Sequence, residues 1–154
     1  MADIRKANES DAERIAEIEV FNYRLNFYPI FRNDDFYFRE LSVSRVRDRY
    51  LYDKGRLNHT YVYDDGAVKG FVTIIGDEIE KLFVEPVLQG KSIGARLIAY
   101  ATENHKAAFL WALEKNERAI EFYKRNGFTV TDTRKYEENT TEYLVRLERR
   151  RDNI

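Results

Sequence analysis

The hydrophobic pattern changes period along the chain. Ile15, Ile18 and Val20–Phe21 recur at the spacing of one helix face, out to about Asn26. Asn8-Glu9-Ser10-Asp11 supplies N-cap candidates ahead of this helix, and Ser10 with Glu13 has the spacing of a capping box. Pro29 is expected to break it. Phe36 to Lys54 predicts a second helix, with Leu41, Val46, Tyr50 and Leu51 near one face and Gly55 as its stop. From Thr60 the pattern becomes strand-like, rich in β-branched and aromatic residues over 60–63, 68–75 and 79–84. Asp64-Asp65-Gly66 and Gly76-Asp77 read as hairpin turns between these strands, and Pro86 closes the third.

Helical spacing returns over Lys91 to Lys106, through Ile93, Leu97, Ile98 and Ala101. A short buried strand over 108–113 follows. Next comes a helix from Asn116 to Asn126, with Ala119, Ile120 and Tyr123 on one side and Gly127 as its stop. Segments 128–133 and 142–147 are the last strands, expected to be antiparallel, and 3–7 is a short edge strand at the other end. The order β-α-α-β-β-β-α-β-α-β-β predicts one α/β domain over residues 1–148 around a mixed sheet, with a solvated basic tail at 149–154. No linker and no internal repeat divides the chain.

Composition narrows the chemistry. The chain has 154 residues, enough for one core, with 44% hydrophobic and 34% charged residues. Lys plus Arg is 26 against 27 Asp plus Glu, so charge offers no reason to expect a nucleic-acid partner. There is no Cys and only His59 and His105, which removes thiol nucleophiles, disulfides, iron–sulfur clusters and zinc fingers, and no metal is expected. The polar start Met1–Ser10 lacks a signal-peptide core, and no apolar run approaches the roughly 18 residues of a membrane helix. A cytoplasmic protein with no membrane partner is the expectation. Chemistry is left to carboxylates, Tyr, Lys, Ser and backbone groups.

The segment richest in chemistry runs from Leu82 to Ala95: a strand end, a loop with Gly90 and Gly94, and a helix start. Free N–H groups and the positive end of the helix dipole make such a junction a phosphate site. It is not a P-loop, because Glu85 stands where that motif requires Gly, and the Rossmann G-x-G-x-x-G spacing is absent. An ordinary tight turn before a helix has the same form.

Gln89-Gly90-Lys91-Ser92-Ile93-Gly94-Ala95 resembles the R/Q-x-x-G-x-G/A motif of the GCN5-related N-acetyltransferase (GNAT) family, with Ser92 in place of the first family Gly. Asn116 to Phe128 resembles that family's N-x-x-A-x-x-F/Y-Y-x-x-x-G-F helix, and the order of elements agrees nearly end to end. The resemblance implies a mixed, mostly antiparallel sheet of about six or seven strands with helices on both faces. It also implies an N-acyltransferase that moves acetyl from acetyl-CoA to a primary amine by direct attack in a ternary complex, without a metal.

By similarity, the backbone of Leu82, Phe83 and Val84 would hold the pantetheine arm. N–H groups among Gln89, Gly90, Lys91, Ser92, Ile93, Gly94 and Ala95 would hold the pyrophosphate, and Asn116 would contact the arm. A backbone N–H near Phe83 or Val84 would stabilise the oxyanion. Tyr123 would be the general acid, its phenol lying close in pKa to a thiol. Glu80 and Glu78 would be the base candidates. Strand alternation puts both on one side with Leu82 and Val84, opposite Ile79, Lys81 and Phe83.

Without the resemblance, Tyr123 reads as packing, Asn116 as an N-cap, and the two glutamates as solvated charges. Eight of the 21 Phe and Tyr residues fall within 21–38, among them Phe27, Tyr28 and Phe31. They are expected to line a pocket for a small-molecule or peptide amine, with Asp34, Asp35 and Glu40 nearby; a satellite core under a long loop is the equal alternative. Lys91, Lys106, Lys115 and Arg118 are candidates to meet the phosphates. A catalytically silent CoA-binding or interaction module on the same fold is the competing function. A homodimer, common among similar proteins, stays open.

Overall fold

The computed structural model describes residues 3–150. Seven strands form one sheet in the order β1-β2-β3-β4-β5-β7-β6. They are β1 (Asp3–Lys6), β2 (Thr60–Asp64), β3 (Val68–Ile75), β4 (Glu78–Val84), β5 (Phe109–Leu113), β6 (Phe128–Tyr136) and β7 (Tyr143–Arg149). All neighbours pair antiparallel except β4 and β5, which are parallel. The helices are α1 (Ala12–Asn26), α2 (Tyr28–Phe31), α3 (Val43–Tyr52), α4 (Lys54–Asn58), α5 (Ile93–His105) and α6 (Glu117–Arg125).

Two cores flank the sheet. Ile15, Ile18 and Val20 of α1 and Val46 and Tyr50 of α3 pack on Val62 and Phe71 on one face. Ile93, Leu97, Ile98 and Ala101 of α5 pack on Val72, Ile79, Leu110 and Leu147 on the other, joined by Phe122 and Tyr123 of α6. This is the mixed α/β architecture that the pattern predicts, with helices on both faces. Both hairpin turns form with glycine in the left-handed region, at Gly66 (φ 112°) and Gly76 (φ 61°).

Several local expectations are corrected. The capping box is Asn8 with Asp11, not Ser10 with Glu13: Asn8 Oδ1 accepts from the Ser10 N–H at 3.0 Å, and Asp11 Oδ2 accepts from the Asn8 N–H at 2.9 Å. The chain enters α1 through a 3₁₀ turn, so the cap shifts toward the N-terminus. The first helix does stop at Asn26, ahead of Pro29, but Pro29 then lies in the first turn of α2, where its missing N–H costs no hydrogen bond.

The expected helix over 36–54 is two pieces. A π-helical turn, Phe36–Glu40, ends where Leu41 turns extended, and α3 restarts with Ser42 Oγ accepting from the Arg45 N–H at 3.2 Å. Asp53 ends α3, and Gly55 lies inside α4 rather than stopping a helix. Strand β6 runs past Thr133 to Tyr136, with a register shift between Val130 and Arg134. Of the expected tail, Arg149 closes β7 and the Arg150 N–H donates to the Gly127 carbonyl at 2.8 Å; residues 151–154 lie outside the described residues.

Candidate active site

The parallel pairing of β4 with β5 stops after two register positions, Glu78 with Phe109 and Ile79 with Leu110. Beyond them the strands part. The cleft widens into a cavity of about 920 Å³, walled by Leu82 and Val84 on β4, Trp111 and Leu113 on β5, and Asn116 and Tyr123 at α6. Its second end lies under α1 and α2, against Tyr23, Phe27, Phe31 and Tyr37.

A bulge shapes the cleft. Thr73 faces Lys81 while Ile74 faces Ile79, so Glu80 is the extra residue of β4. The bulge breaks simple alternation and corrects the expected faces. Leu82 and Val84 join Ile79 on the α5 side. Lys81 and Phe83 lie toward α1: Lys81 Nζ bonds Glu19 at 2.9 Å, and Phe83 packs on Tyr23 and Phe71. Glu80 turns to Arg56 of α4 at 2.9 Å.

Register also decides which backbone groups of β4 are available. The Glu85 N–H donates to the Lys69 carbonyl at 2.9 Å, and hydrogen-bonded pairs alternate along an antiparallel ladder. Phe83 opposite Phe71 and Lys81 opposite Thr73 are therefore engaged with β3. Leu82 and Val84 point their N–H and C=O groups toward the open cleft. Asn22 Nδ2 already donates to the Val84 carbonyl at 2.9 Å, so the Val84 N–H and both groups of Leu82 remain for a ligand. Among the three backbone candidates, the N–H and C=O of Phe83 turn to β3, although the residue lines the cavity.

The glycine loop leads into α5 through two left-handed residues, Gly90 (φ 86°) and Ser92 (φ 69°). Ser92 is the N-cap of α5, with no side-chain cap bond, and the Arg96 N–H closes the first turn on the Ser92 carbonyl at 3.1 Å. The N–H groups of Ile93, Gly94 and Ala95 precede that first intrahelical bond and carry the positive end of the dipole. The Ile93 side chain is in the core and Lys91 is exposed. The Gln89 side chain turns inward, donating to Asn22 Oδ1 at 3.1 Å. This loop and the open edge of β4 would fit a phosphate-bearing, amide-containing arm such as that of CoA. Arg118 lies on the cavity wall, whereas Lys115 is paired with Glu142 at 2.7 Å.

Tyr123 stands on the cavity wall with its ring against Phe122 and Phe128, centroids 5.3 and 6.2 Å apart. Burial pushes its phenol up to about 12. Asn116 caps α6, its Oδ1 accepting from the Ala119 N–H at 3.4 Å, and also lines the cavity. Glu80 lines the cavity; Glu78 does not, and burial followed by the charge of Glu80 raises its carboxyl.

The aromatic cluster divides. Phe27 and Phe31 line the cavity. Tyr28 instead donates to Asp34 at 2.6 Å and braces Tyr37 and Phe38 edge-on. Asp35 is held by Arg39 at 3.3 Å. The carboxylates at the aromatic end are Glu137 and Glu138, in the turn between β6 and β7. Neither has a cationic partner among the described residues; Glu137 Oε1 accepts from the Glu138 N–H at 3.1 Å. Burial, then Glu19 and Glu137, raises the Tyr23 phenol. Tyr37 is pushed up to about 12 by burial, with Tyr23 and Glu137 adding to it.

Tyr23 belongs to the aromatic cluster expected over 21–38, but Glu19, Asn22, Lys81, Trp111, Glu137 and Glu138 are not among the expected site residues. Two of them carried a readable sign: Glu19 and Asn22 are polar residues in register with Ile15 and Ile18 on the buried stripe of α1. Among the described residues no group of three or more His, Cys, Asp or Glu could hold a metal ion, and no helix is long and apolar enough to cross a membrane.

The profile of the Acetyltransferase (GNAT) domain matches residues 56–130. Peptidyl-lysine N-acetyltransferase YiaC of Escherichia coli K12 is 30% identical over 131 residues, 84% of each chain. The solution structure of apo-form YjaB from Escherichia coli superposes with a TM-score of 0.76 at 23% identity, covering 97% of both chains. PaiA N-acetyltransferase from Thermoplasma acidophilum, solved in complex with coenzyme A, superposes at 0.69 with 23% identity, covering 95% of this chain and 98% of that one.

Proposed function

This chain belongs to the GNAT family of acetyltransferases, and from that premise we propose that it transfers acetyl from acetyl-CoA to a primary amine. The observation that carries the reading is the parted β4–β5 pair, with the Leu82 and Val84 backbone facing a cleft that ends at the α5 N-terminus. Bound there, acetyl-CoA supplies an activated acyl carbon for direct attack by the amine, with no acyl-enzyme. The Leu82 groups and the Val84 N–H hold the arm as a further strand would. The N–H groups entering α5 hold the pyrophosphate.

Tyr123 gives its proton to the departing sulfur; burial raises the phenol to about 12, so it is protonated at neutral pH when the thiolate leaves. Of the base candidates, Glu80 lines the cavity and takes the ammonium proton directly or through water, with Glu78 behind it. The Phe83 N–H, one of the two expected at the oxyanion, is engaged with β3 and is not available for that role. The acceptor enters at the aromatic end, where Glu137 and Glu138 leave an uncompensated negative charge that favours a cation. Similarity to a peptidyl-lysine acetyltransferase supports a lysine side chain as that cation.

Calorimetric titration with acetyl-CoA, followed by thiol release with lysine peptides and small amines, tests the reading. Saturable binding with amine-dependent thiol release is expected. Absence of binding at millimolar acetyl-CoA overturns it. Binding without thiol release from any amine makes the chain a silent CoA-binding module.

A further inference from the structure

Asn22 is 1% exposed, and all four hydrogen-bonding positions of its amide are filled. Its Nδ2 donates to the Ile18 carbonyl at 2.8 Å within α1 and to the Val84 carbonyl at 2.9 Å at the end of β4. Its Oδ1 accepts from Gln89 Nε2 at 3.1 Å and from Asn26 Nδ2 at 3.3 Å. One side chain thus holds both ends of the segment 84–89.

The middle of that segment is tied as well. The peptide between Val84 and Glu85 is gripped on both sides, its carbonyl by Asn22 and its N–H by the Lys69 carbonyl at 2.9 Å. The Glu85 carboxylate pairs with Arg14 of α1 at 2.7 Å. A 3₁₀ turn, Pro86–Leu88, then delivers Gln89 back to Asn22. Immediately beyond come the two left-handed residues Gly90 and Ser92. A non-glycine residue in that region persists only where its surroundings hold it there. The segment feeding them is what is held.

We propose that Asn22 is a positioning residue for the nucleotide half of CoA, clamping segment 84–89 so that the loop into α5 has its binding shape before the ligand arrives. The proposal rests on the acetyl-CoA reading above. It separates two halves of one ligand. A shaped loop serves the pyrophosphate and adenosine, whereas the arm is read along the β4 edge, where the β3 ladder holds Lys81 and Phe83 on either side of Leu82 without Asn22.

The test is ligand titration followed by NMR, which reads weak binding, with acetyl-CoA and with S-acetyl-pantetheine, which lacks the nucleotide. Asn22→Ala removes the clamp, and Gln89→Met removes only its loop end and leaves the α1 packing in place. Acetyl-CoA is expected to bind about tenfold more weakly to Asn22→Ala and about threefold more weakly to Gln89→Met, with the double variant no worse than Asn22→Ala. S-acetyl-pantetheine should stay within about twofold of wild type throughout. Equal losses for both ligands, or unchanged acetyl-CoA affinity in both variants, would overturn the proposal. Should Asn22→Ala not fold, Gln89→Met decides alone by the same comparison. A wild-type chain that binds no acetyl-CoA removes the transferase reading itself, and this proposal with it.

Discussion

A Cβ on residue 94 would stand 2.8 Å from Cζ of Phe122, so the ring of Phe122 on α6 must shift for any side chain to enter at position 94 of α5. The loop motif alone suggests that this glycine lets a ligand approach the backbone; the fold adds a packing reason. Gly94→Ala is expected to destabilise the protein by about 1 kcal/mol, overpacking against the ring outweighing the helix propensity that Ala adds. Phe122→Leu should recover at least half of that loss in the double variant, read from urea unfolding. Additive losses would mean that the two residues do not meet in solution.

Tyr123→Phe keeps the ring packing against Phe122 and Phe128 and deletes the proton. Turnover should fall by about a hundredfold or more while the acetyl-CoA dissociation constant holds. Parallel loss of both would assign Tyr123 a structural role.

The raised phenols also set an alkaline limit to stability. Burial lifts Tyr37 and Tyr123 to about 12, above the ordinary value of 10.0. A group whose pKa is higher when folded contributes stability that is complete below its unfolded value and is lost as pH rises toward the folded one. The free energy of unfolding should therefore fall between pH 10 and pH 12, and fall less steeply in Tyr123→Phe. A flat profile over that window in the wild type would contradict the burial of these groups.

Glu19 is 1% exposed and accepts from both Lys81 Nζ, at 2.9 Å, and the Tyr50 hydroxyl, at 2.7 Å. Lys81→Met leaves that carboxylate without its cation and should cost about 3–5 kcal/mol. Glu19→Gln combined with Lys81→Met should be the more stable of the two, because no buried charge is then stranded. Chemical denaturation distinguishes them, and a double variant worse than Lys81→Met would refute the pairing.

Ser92 holds φ at 69°, a region that glycine enters without steric cost. Ser92→Gly should raise stability by about 0.5–1 kcal/mol, the relief of a left-handed Cβ less the extra freedom of glycine in the unfolded chain. A lower melting temperature in Ser92→Gly would show that the hydroxyl does more than the backbone geometry explains.

Glu137 reaches the aromatic end of the cavity from a hairpin turn, so Glu137→Lys is expected to fold normally. It should raise KM for a lysine-peptide acceptor about tenfold and leave KM for acetyl-CoA unchanged. Equal change in both would place Glu137 outside the acceptor path.

Much of this protein was legible along the chain. The switch from 3.6-residue to two-residue periodicity marked the α/β order, because each element buries one face. The spacing within 89–95 and 116–128 marked the family, because a loop at a helix start and a packed helix constrain neighbouring residues directly. The tertiary structure decided the rest. The bulge at Glu80 reverses the expected partners of Leu82 and Val84, and a bulge arises from pairing with β3 that no local pattern of β4 reveals. The engagement of Phe83 with Phe71, and the release of Leu82 and Val84 toward the cleft, follow from register between strands. Asn22 and Val84 are 62 positions apart and meet only because α1 lies across the end of β4. Glu137 and Phe27 line one cavity although they lie far apart along the chain, which no local pattern records. Local periodicity records which face of an element is buried; what that face meets is set by the long-range pairing of the sheet.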